Sequence, residues 1–482
     1  MFTGIWIYNK LRNRLMKQDI ENIDYEWLFK PTGDPFVDAG GYALEEFSHY
    51  YPDANLMDLI EKAAAIYVDG WDSRINKIFH NSKITNSSIK SENKVRECVK
   101  YYFSIITDEN ATLGHCRITG RKCLVFPARR ENFVLAGAGT LSNFNHFLDI
   151  GLMVSKEALI RVFFLPLGCK LLKERVTLIT SNNPTVSSFF ARTICAQNIR
   201  NYVQKVSASM LTSRYEANAS AFFHFIDELI LQQKVNGDSK KNNTLTMFSF
   251  SNAGQNPNVN ILQLPFEAFK FYRVAVNAVY KASWSHFVSQ YYYPSFKGII
   301  DYSFVKGKYE VEGRKSKRFV ERSEYMYWGN RIYQKLLEND SIVSDILKYE
   351  EKNYIDFDEE NYLNINLIKL YLKRIRKMKE ETIHKIEQIA DFIISSNDVV
   401  FIKNCVNKLN EAQTTYMLSR FLVKNIVEIN YNDENENTII TVNDYVNYLF
   451  SDDSSWKEIR NVLLIAIYER LHQSKININK LK

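Results

Sequence analysis

Over residues 361–482, apolar side chains recur at helical spacing. Ile368, Leu372 and Ile375 open one stripe, and Ile386, Ile389 and Ile393 continue it. Leu422, Val423 and Ile426 mark another helix, and Ile459, Leu463, Ala466 and Ile467 mark the last. Residues three and four apart share one helix face, and each such face must be covered by another. The pattern predicts an α-helical bundle. The first 110 residues also read as helical, from an amphipathic opening segment through Leu56, Leu59, Ile60, Ala63 and Ala64 to Tyr101, Ile105 and Ile106. A turn at Pro31–Pro35 separates the first helix from a second, whose start is expected at Tyr42–Glu46, just after Gly40-Gly41.

The middle of the chain changes character. Residues 111–150 read as loops and short strands around Cys116-Arg-Ile-Thr-Gly-Arg-Lys-Cys123. Residues 151–235 read as helix, broken near Ser181–Pro184. Thr244–Ser251 and Val259–Leu264 read as strands of a hairpin whose long tip is Asn252–Asn258. Residues 265–350 are aromatic and basic. The fold class is therefore α+β. A mixed, largely helical N-terminal domain with small β elements is expected over 1–350, and a C-terminal helical bundle over 351–482.

A chain of 482 residues has room for two or three such cores. No segment reaches the roughly 18 uncharged apolar residues of a membrane span. Gly151–Leu172 comes nearest and is interrupted by Lys156, Glu157, Arg161 and Lys170. The N-terminus lacks a small-residue cleavage site after an apolar core, so it reads as a helix rather than a signal peptide. Its six cysteines are scattered, which suits reduced thiols in a cytoplasmic protein. The net charge of +7 permits a nucleic-acid partner without requiring one.

Catalytic signatures are missing. The sequence has no phosphate-binding glycine loop, no HExxH and no GxSxG. Its eight histidines are isolated. His115 beside Cys116 and Cys123 makes a weak zinc signal, with no second CxxC to complete it. Asp452-Asp453 lies in a Ser-rich loop and reads as a helix cap. No metal, cofactor or catalytic residue is expected.

Three segments resemble the large-subunit family of type I CRISPR effector complexes (Cascade), specifically the type I-B branch. They are Thr32-Gly-Asp-Pro-Phe-Val-Asp-Ala-Gly-Gly41, Phe248–Pro257 with the strand ending at Leu264-Pro265, and Thr441–Phe450 continuing through Trp456–Arg460 to Tyr468–Leu471. Segment order and overall length agree with the family. One departure is plain. The branch often carries two CxxC pairs. The first would fall on Cys116 and Thr119, and the second near Val154–Leu159, where no cysteine stands. The zinc-knuckle region, about 111–170, is degenerate, and packing with hydrogen bonds is expected to hold it.

The resemblance implies a non-catalytic subunit that recognises the protospacer-adjacent motif in duplex DNA, helps open the duplex and positions recruitment of later effectors. Pairing between guide RNA and target would read the rest. The implied partners are guide RNA, target duplex, and the backbone, guide 5′-end cap and small subunits. Beyond these come a helicase-nuclease or transposition proteins. A small subunit translated from an internal start near Met378 is a further implication. Amides read base edges and cations hold phosphates. Asn252, Gln255 and Asn256 are therefore the candidate flank readers. Arg117, Arg121, Lys122, Arg129 and Arg130 are candidate phosphate contacts, as are Arg314, Lys315, Lys317 and Arg318. The competing readings are a CRISPR-linked or restriction-type DNA nuclease, and a scaffold that touches no DNA.

Overall fold

The computed structural model describes residues 22–136, 151–206, 209–235, 243–253, 258–296, 298–303, 306–312, 317–355, 362–432, 438–451 and 455–478. The expected opening helix lies outside them. The class is mixed α+β, and the chain divides into two compact units, Met1–Gln263 and Leu264–Lys482.

The first unit is ordered by one buried arginine. Asp24 caps the short helix α1 (Tyr25–Phe29), and Asp34 caps α2 (Pro35–Tyr50) by accepting from the amides of Phe36 and Val37. Pro35 occupies the first turn, where its missing N–H loses nothing. Helix α2 thus begins at Pro35, ahead of the expected start at Tyr42. Gly40 and Gly41 lie inside the helix, and their role is close approach. A Cβ on Gly40 would stand 2.0 Å from the Arg161 carbonyl oxygen, and one on Gly41 would stand 2.6 Å from Arg161 Nε. Arg161 is 1% exposed. Its guanidinium donates to the carbonyls of Val37 (3.1 Å), Trp27 (3.3 Å) and Lys30 (2.6 Å), and to Asp38 Oδ1 (2.6 Å). Asp38 also accepts from the Thr32 amide and hydroxyl and the Gly33 amide. The decapeptide Thr32–Gly41 is therefore the receptor for a side chain some 120 residues downstream.

Helices α3 (Leu56–Gly70) and α4 (Ser91–Ile106) pack together. Strands β1 (Thr112–His115), β2 (Lys122–Ala128) and β3 (Leu152–Ser155) form an antiparallel sheet in that order, and β3 runs directly into α5 (Lys156–Phe164), which carries Arg161. The stretch expected as helix over 151–235 contains two strands, β4 (Lys170–Leu172) and β5 (Arg175–Ser181). Helix resumes with α6 (Pro184–Val203), followed by β6 (Thr212–Ser213) and α7 (Asn218–Val235). The expected hairpin is β7 (Leu245–Ser251) and β8 (Asn258–Leu264). A five-stranded sheet runs β6-β4-β5-β7-β8, with Val176 opposite Phe250 and Ser181 opposite Leu245.

The second unit opens with α8 (Phe266–Ala275) and α9 (Lys281–Ser289). Strand β9 (Tyr292–Tyr293) follows, then an antiparallel sheet of β10 (Ile299–Ser303), β11 (Lys308–Glu312) and β12 (Lys317–Val320). Strand β13 (Gly329–Asn330) pairs with β9. Tyr302, Tyr309, Val311, Val320, Tyr325 and Trp328 make a core of their own here. The helices are α10 (Arg331–Glu338), α11 (Val343–Asn353), α12 (Ile365–Arg374), α13 (Glu380–Ser395), α14 (Val399–Glu411), α15 (Thr415–Leu422) and α16 (Trp456–Gln473). Helix α16 packs on both α11 and α13. The expected boundary at 350/351 cuts through α11, whose contacts with α16 tie it to the bundle; the compact units divide at 263/264 instead. Met378 lies in the connection between α12 and α13, its amide donating to the Leu372 carbonyl.

Two predictions follow from these contacts. Arg161→Met leaves the half-buried Asp38 carboxylate without its cation and takes the guanidinium donors from three carbonyls. Breaking one side of a buried ion pair costs about 3–5 kcal/mol, which urea denaturation should register as a matching loss of stability in the first unit. Lys170, at the start of β4, has its Nζ 3.6 Å from the Phe225 ring centroid. Burial lowers its pKa to about 8, against an opposing pull from Glu228. An unfolded lysine keeps its proton to about pH 10.4, so between these values the unfolded chain binds more protons and stability rises with pH. The midpoint advantage of Lys170→Met over wild type is expected to shrink as pH is raised from 7 to 10.

Candidate nucleic-acid interface

The degenerate knuckle keeps its turn. Cys116 is buried, and its amide donates to the Arg121 carbonyl (2.9 Å), while the Gly120 amide donates to the Cys116 carbonyl (2.8 Å). Gly120 takes φ +69°, which glycine adopts at little steric cost. The Arg117 amide donates to the Met153 carbonyl (2.9 Å), which pins the turn against β3. Arg121 then bridges Asp24 Oδ2 (2.7 Å) and Glu157 Oε2 (2.9 Å), with its guanidinium 4.9 Å from the centre of the Trp27 ring. Glu157 lies within Val154–Leu159, the stretch the sequence resemblance aligns with a second cysteine pair, and the guanidinium–carboxylate bridge ties that stretch to the turn at Cys116–Cys123. Among the described residues, no group of three or more His, Cys, Asp or Glu is placed to hold a metal ion. All six cysteines are unpaired.

This corrects one sequence assignment. Arg121 is committed to two carboxylates and holds the fold, so it is withdrawn as a phosphate contact. Arg117 and Lys122 remain exposed, Arg117 in the turn and Lys122 opposite His115 at the start of β2.

The hairpin and the loop after β2, two features singled out from sequence, meet in space. Asn252, just beyond β7, is fully buried. Its amide donates to the Lys77 carbonyl (2.7 Å). Its side-chain Nδ2 donates to the carbonyls of Ile78 (2.9 Å), Arg130 (3.3 Å) and Phe133 (3.3 Å). Arg130 donates back to the Asn252 carbonyl (2.6 Å), and the His80 amide donates to the Arg130 carbonyl (2.9 Å). One residue thus ties together three segments: 77–80, 129–133 and the hairpin base. Asn252 is therefore a structural lock and not a base reader. Burial, together with the nearby Arg130, lowers the pKa of His80 and favours its neutral form. Gln255 and Asn256 lie outside the described residues.

Beside this lock is a cleft of about 420 Å³. Asn81, Lys83, Asn86, Tyr101, Arg129 and Asn132 contribute to its lining. Asn132 holds the Arg129 amide (2.7 Å) and donates to the Tyr101 hydroxyl (2.6 Å), which fixes one wall. The Arg129 guanidinium is 3.8 Å from Glu131, and its Nε is buried without an acceptor among the described residues. Asn81 and Lys83 are exposed, and Asn86 is half-buried. Sequence reasoning missed these three. The only signal was a polar run, Asn81-Ser-Lys-Ile-Thr-Asn86, which also describes an ordinary loop.

The other basic group, Arg314, Lys315, Lys317 and Arg318, is different. Lys317 lies 3.4 Å from Glu310, and Arg318 makes two bonds to Glu324 (3.2 and 2.7 Å). These exposed pairs are individually weak, but they balance the local charge. Arg314 and Lys315 lie outside the described residues.

Residues 356–481 match the family model of the DevT C-terminal domain, about a quarter of the chain. The match falls within the second unit and contains none of the candidate contact residues. No curated protein matches the chain. Among the described residues, no helix is long and apolar enough to cross a membrane.

Asn252→Ala takes a donor from the buried carbonyls of Ile78 and Phe133, while the Arg130 carbonyl keeps the His80 amide. Each group left unsatisfied costs about 1–3 kcal/mol. The expected result is a marked drop in the thermal midpoint, with faster hydrogen exchange at residues 77–80 and 129–133. Exchange unchanged at those segments would contradict the lock.

Proposed function

We propose that this chain is the large, DNA-contacting subunit of a type I-B CRISPR RNA-guided surveillance complex. In this reading it recognises the protospacer-adjacent motif in duplex form, helps open the duplex, and breaks no bonds itself. The observation that carries the reading is the Asn252 lock, which holds the hairpin base against Arg130, beside a cleft lined by Asn81, Asn86, Arg129 and Asn132. The three resembling segments support it. The DevT C-terminal domain match is consistent with a Cascade-associated protein.

The mechanism divides by chemistry. Lys83, Arg117, Lys122 and Arg129 neutralise phosphates and orient the duplex without reading sequence. Amides at the hairpin tip and on the cleft rim, with Gln255, Asn256, Asn81 and Asn86 as the nominees, read base edges. The lock fixes the hairpin base at Asn252, so that end of β7 loses little freedom on binding. The partners are guide RNA, target duplex, and the backbone, cap and small subunits. A helicase-nuclease or transposition proteins would act after them. Within the second unit, a small-subunit-like fragment starting at Met378 would begin just ahead of α13 and keep whole helices.

The test separates the two kinds of contact in the assembled complex. Lys83→Ala with Arg129→Ala is expected to weaken binding to every flank sequence alike. The slope of log K against log salt should become shallower by about 1.8, the value for two lost phosphate contacts. Gln255→Ala with Asn256→Ala is expected to change which flank is accepted at a similar salt slope. Flank preference unchanged in that second pair would remove the hairpin as reader. Plasmid cleavage by the purified chain with Mg²⁺ would replace the whole reading with that of a nuclease.

A further inference from the structure

A second site lies wholly within the second unit and is independent of the flank-reading proposal. Between the end of α9, strands β10 and β11, and helix α11 is a cleft of about 370 Å³. Tyrosines dominate its wall, and their hydroxyls are already engaged by the fold. Tyr291 donates to the Asp345 carbonyl (2.6 Å), and Tyr309 donates to the Ser289 carbonyl (2.9 Å). The Tyr302 hydroxyl pairs with Ser289 Oγ (3.0 Å), and the Tyr349 hydroxyl with His286 Nδ1 (2.6 Å). With their hydroxyls engaged, what these four residues can still present to a ligand in the cleft is ring rather than hydroxyl.

Tyr293 is the exposed member, at 44%. Its ring lies so close to the Gly329 backbone that a Cβ there would stand 2.5 Å from it, and its hydroxyl donates to Gln334 (3.1 Å). The ring is a held platform at the mouth rather than a free side chain. Gln290 Nε2, in the same cleft, is a buried donor with no acceptor among the described residues. Lys348 and Lys352 stand exposed on the α11 side.

Held aromatic rings suit a planar π-system. A buried amide donor without an acceptor suits a carbonyl on that ligand's edge. Two ammonium groups against the one carboxylate of Asp301 leave the lining net positive, which suits a phosphate. The volume lies at the low end of the range of about 300–1,000 Å³ for small-ligand sites, which suits one nucleotide and excludes a duplex. A base can present both face and edge in this way only when unpaired.

We propose that this cleft takes one unpaired nucleotide of a single strand, with its base against Tyr293 and the neighbouring tyrosine rings, a base carbonyl on Gln290, and its phosphate on Lys348 and Lys352. Thymine and uracil carry the carbonyls that such a donor favours, and adenine carries none.

The experiment uses the full-length chain and labelled ten-nucleotide homopolymers in fluorescence anisotropy. Oligo-dT and oligo-rU are expected to bind at least fivefold more tightly than oligo-dA, and the tighter of the two identifies DNA or RNA as the source. Tyr293→Ala is expected to weaken that binding five- to tenfold, while Tyr293→Phe, which keeps the ring, restores most of it. Gln290→Leu is expected to erase the preference over oligo-dA. Photocrosslinking with 5-iodouracil should label Tyr292 or Tyr293. Crosslinks confined to the first unit would overturn the proposal. So would Tyr293→Ala binding like wild type, or inorganic phosphate competing as well as the oligonucleotide. None of these variants touches Lys83, Arg129 or the hairpin, so failure here leaves the flank-reading proposal standing and failure there leaves this one.

Discussion

A guanidinium shut away from water organises the first unit. Arg161 donates to acceptors from α1, the turn after it and α2, so a single side chain sets how α5 lies on the N-terminal segment. Desolvating such a charge is costly, and the cost is offset here only because every nitrogen of the guanidinium meets an acceptor. One turn earlier on the same helix, Glu157 takes Arg121 from the knuckle turn and accepts from the Asp24 amide. Helix α5 therefore carries three charges, Lys156 on Asp108, Glu157 on Arg121 and Arg161 on Asp38, each fastening a different segment. The knuckle, β3 and the loop bearing Arg129 and Arg130 are positioned downstream of those attachments.

This arrangement explains what the sequence could and could not disclose. The hairpin was legible because Leu245–Ser251 shows the period of a strand. The bundle was legible because its stripes repeat at helical spacing over many turns. Strands β4 and β5 were not. Leu171, Leu172, Val176, Leu178 and Ile179 are all buried, and a short apolar run covered on both faces has no period to separate strand from helix. The small sheet at 299–320 was hidden in the same way, since its tyrosines signal an aromatic core as readily as a binding surface. The start of α2 was misplaced because the glycine pair looked like a break, when its function is close approach.

The candidate site was only half legible, for a related reason. Composition and loop position singled out two segments, the hairpin and the loop after β2, that the fold brings together. Whether a given cation or amide faces outward depends on partners far along the chain. Asp24 and Glu157 remove Arg121, and the carbonyls of residues 78, 130 and 133 remove Asn252. Such long-range pairings cannot be seen in local spacing. Conversely, Lys83 and the asparagines beside it gain interest only because the fold sets them across a cleft from Arg129.

The glycine pair has a consequence for descent. Where Gly40 meets α5, the obstacle is a main-chain oxygen, which no change of side chain on the opposing helix can move aside. A larger residue there would require the two helices to separate, and with them every acceptor around Arg161. Surface cations, by contrast, can be exchanged one at a time with little effect on packing. The decapeptide should therefore tolerate fewer substitutions than the outer loops, whose side chains meet nothing so unyielding.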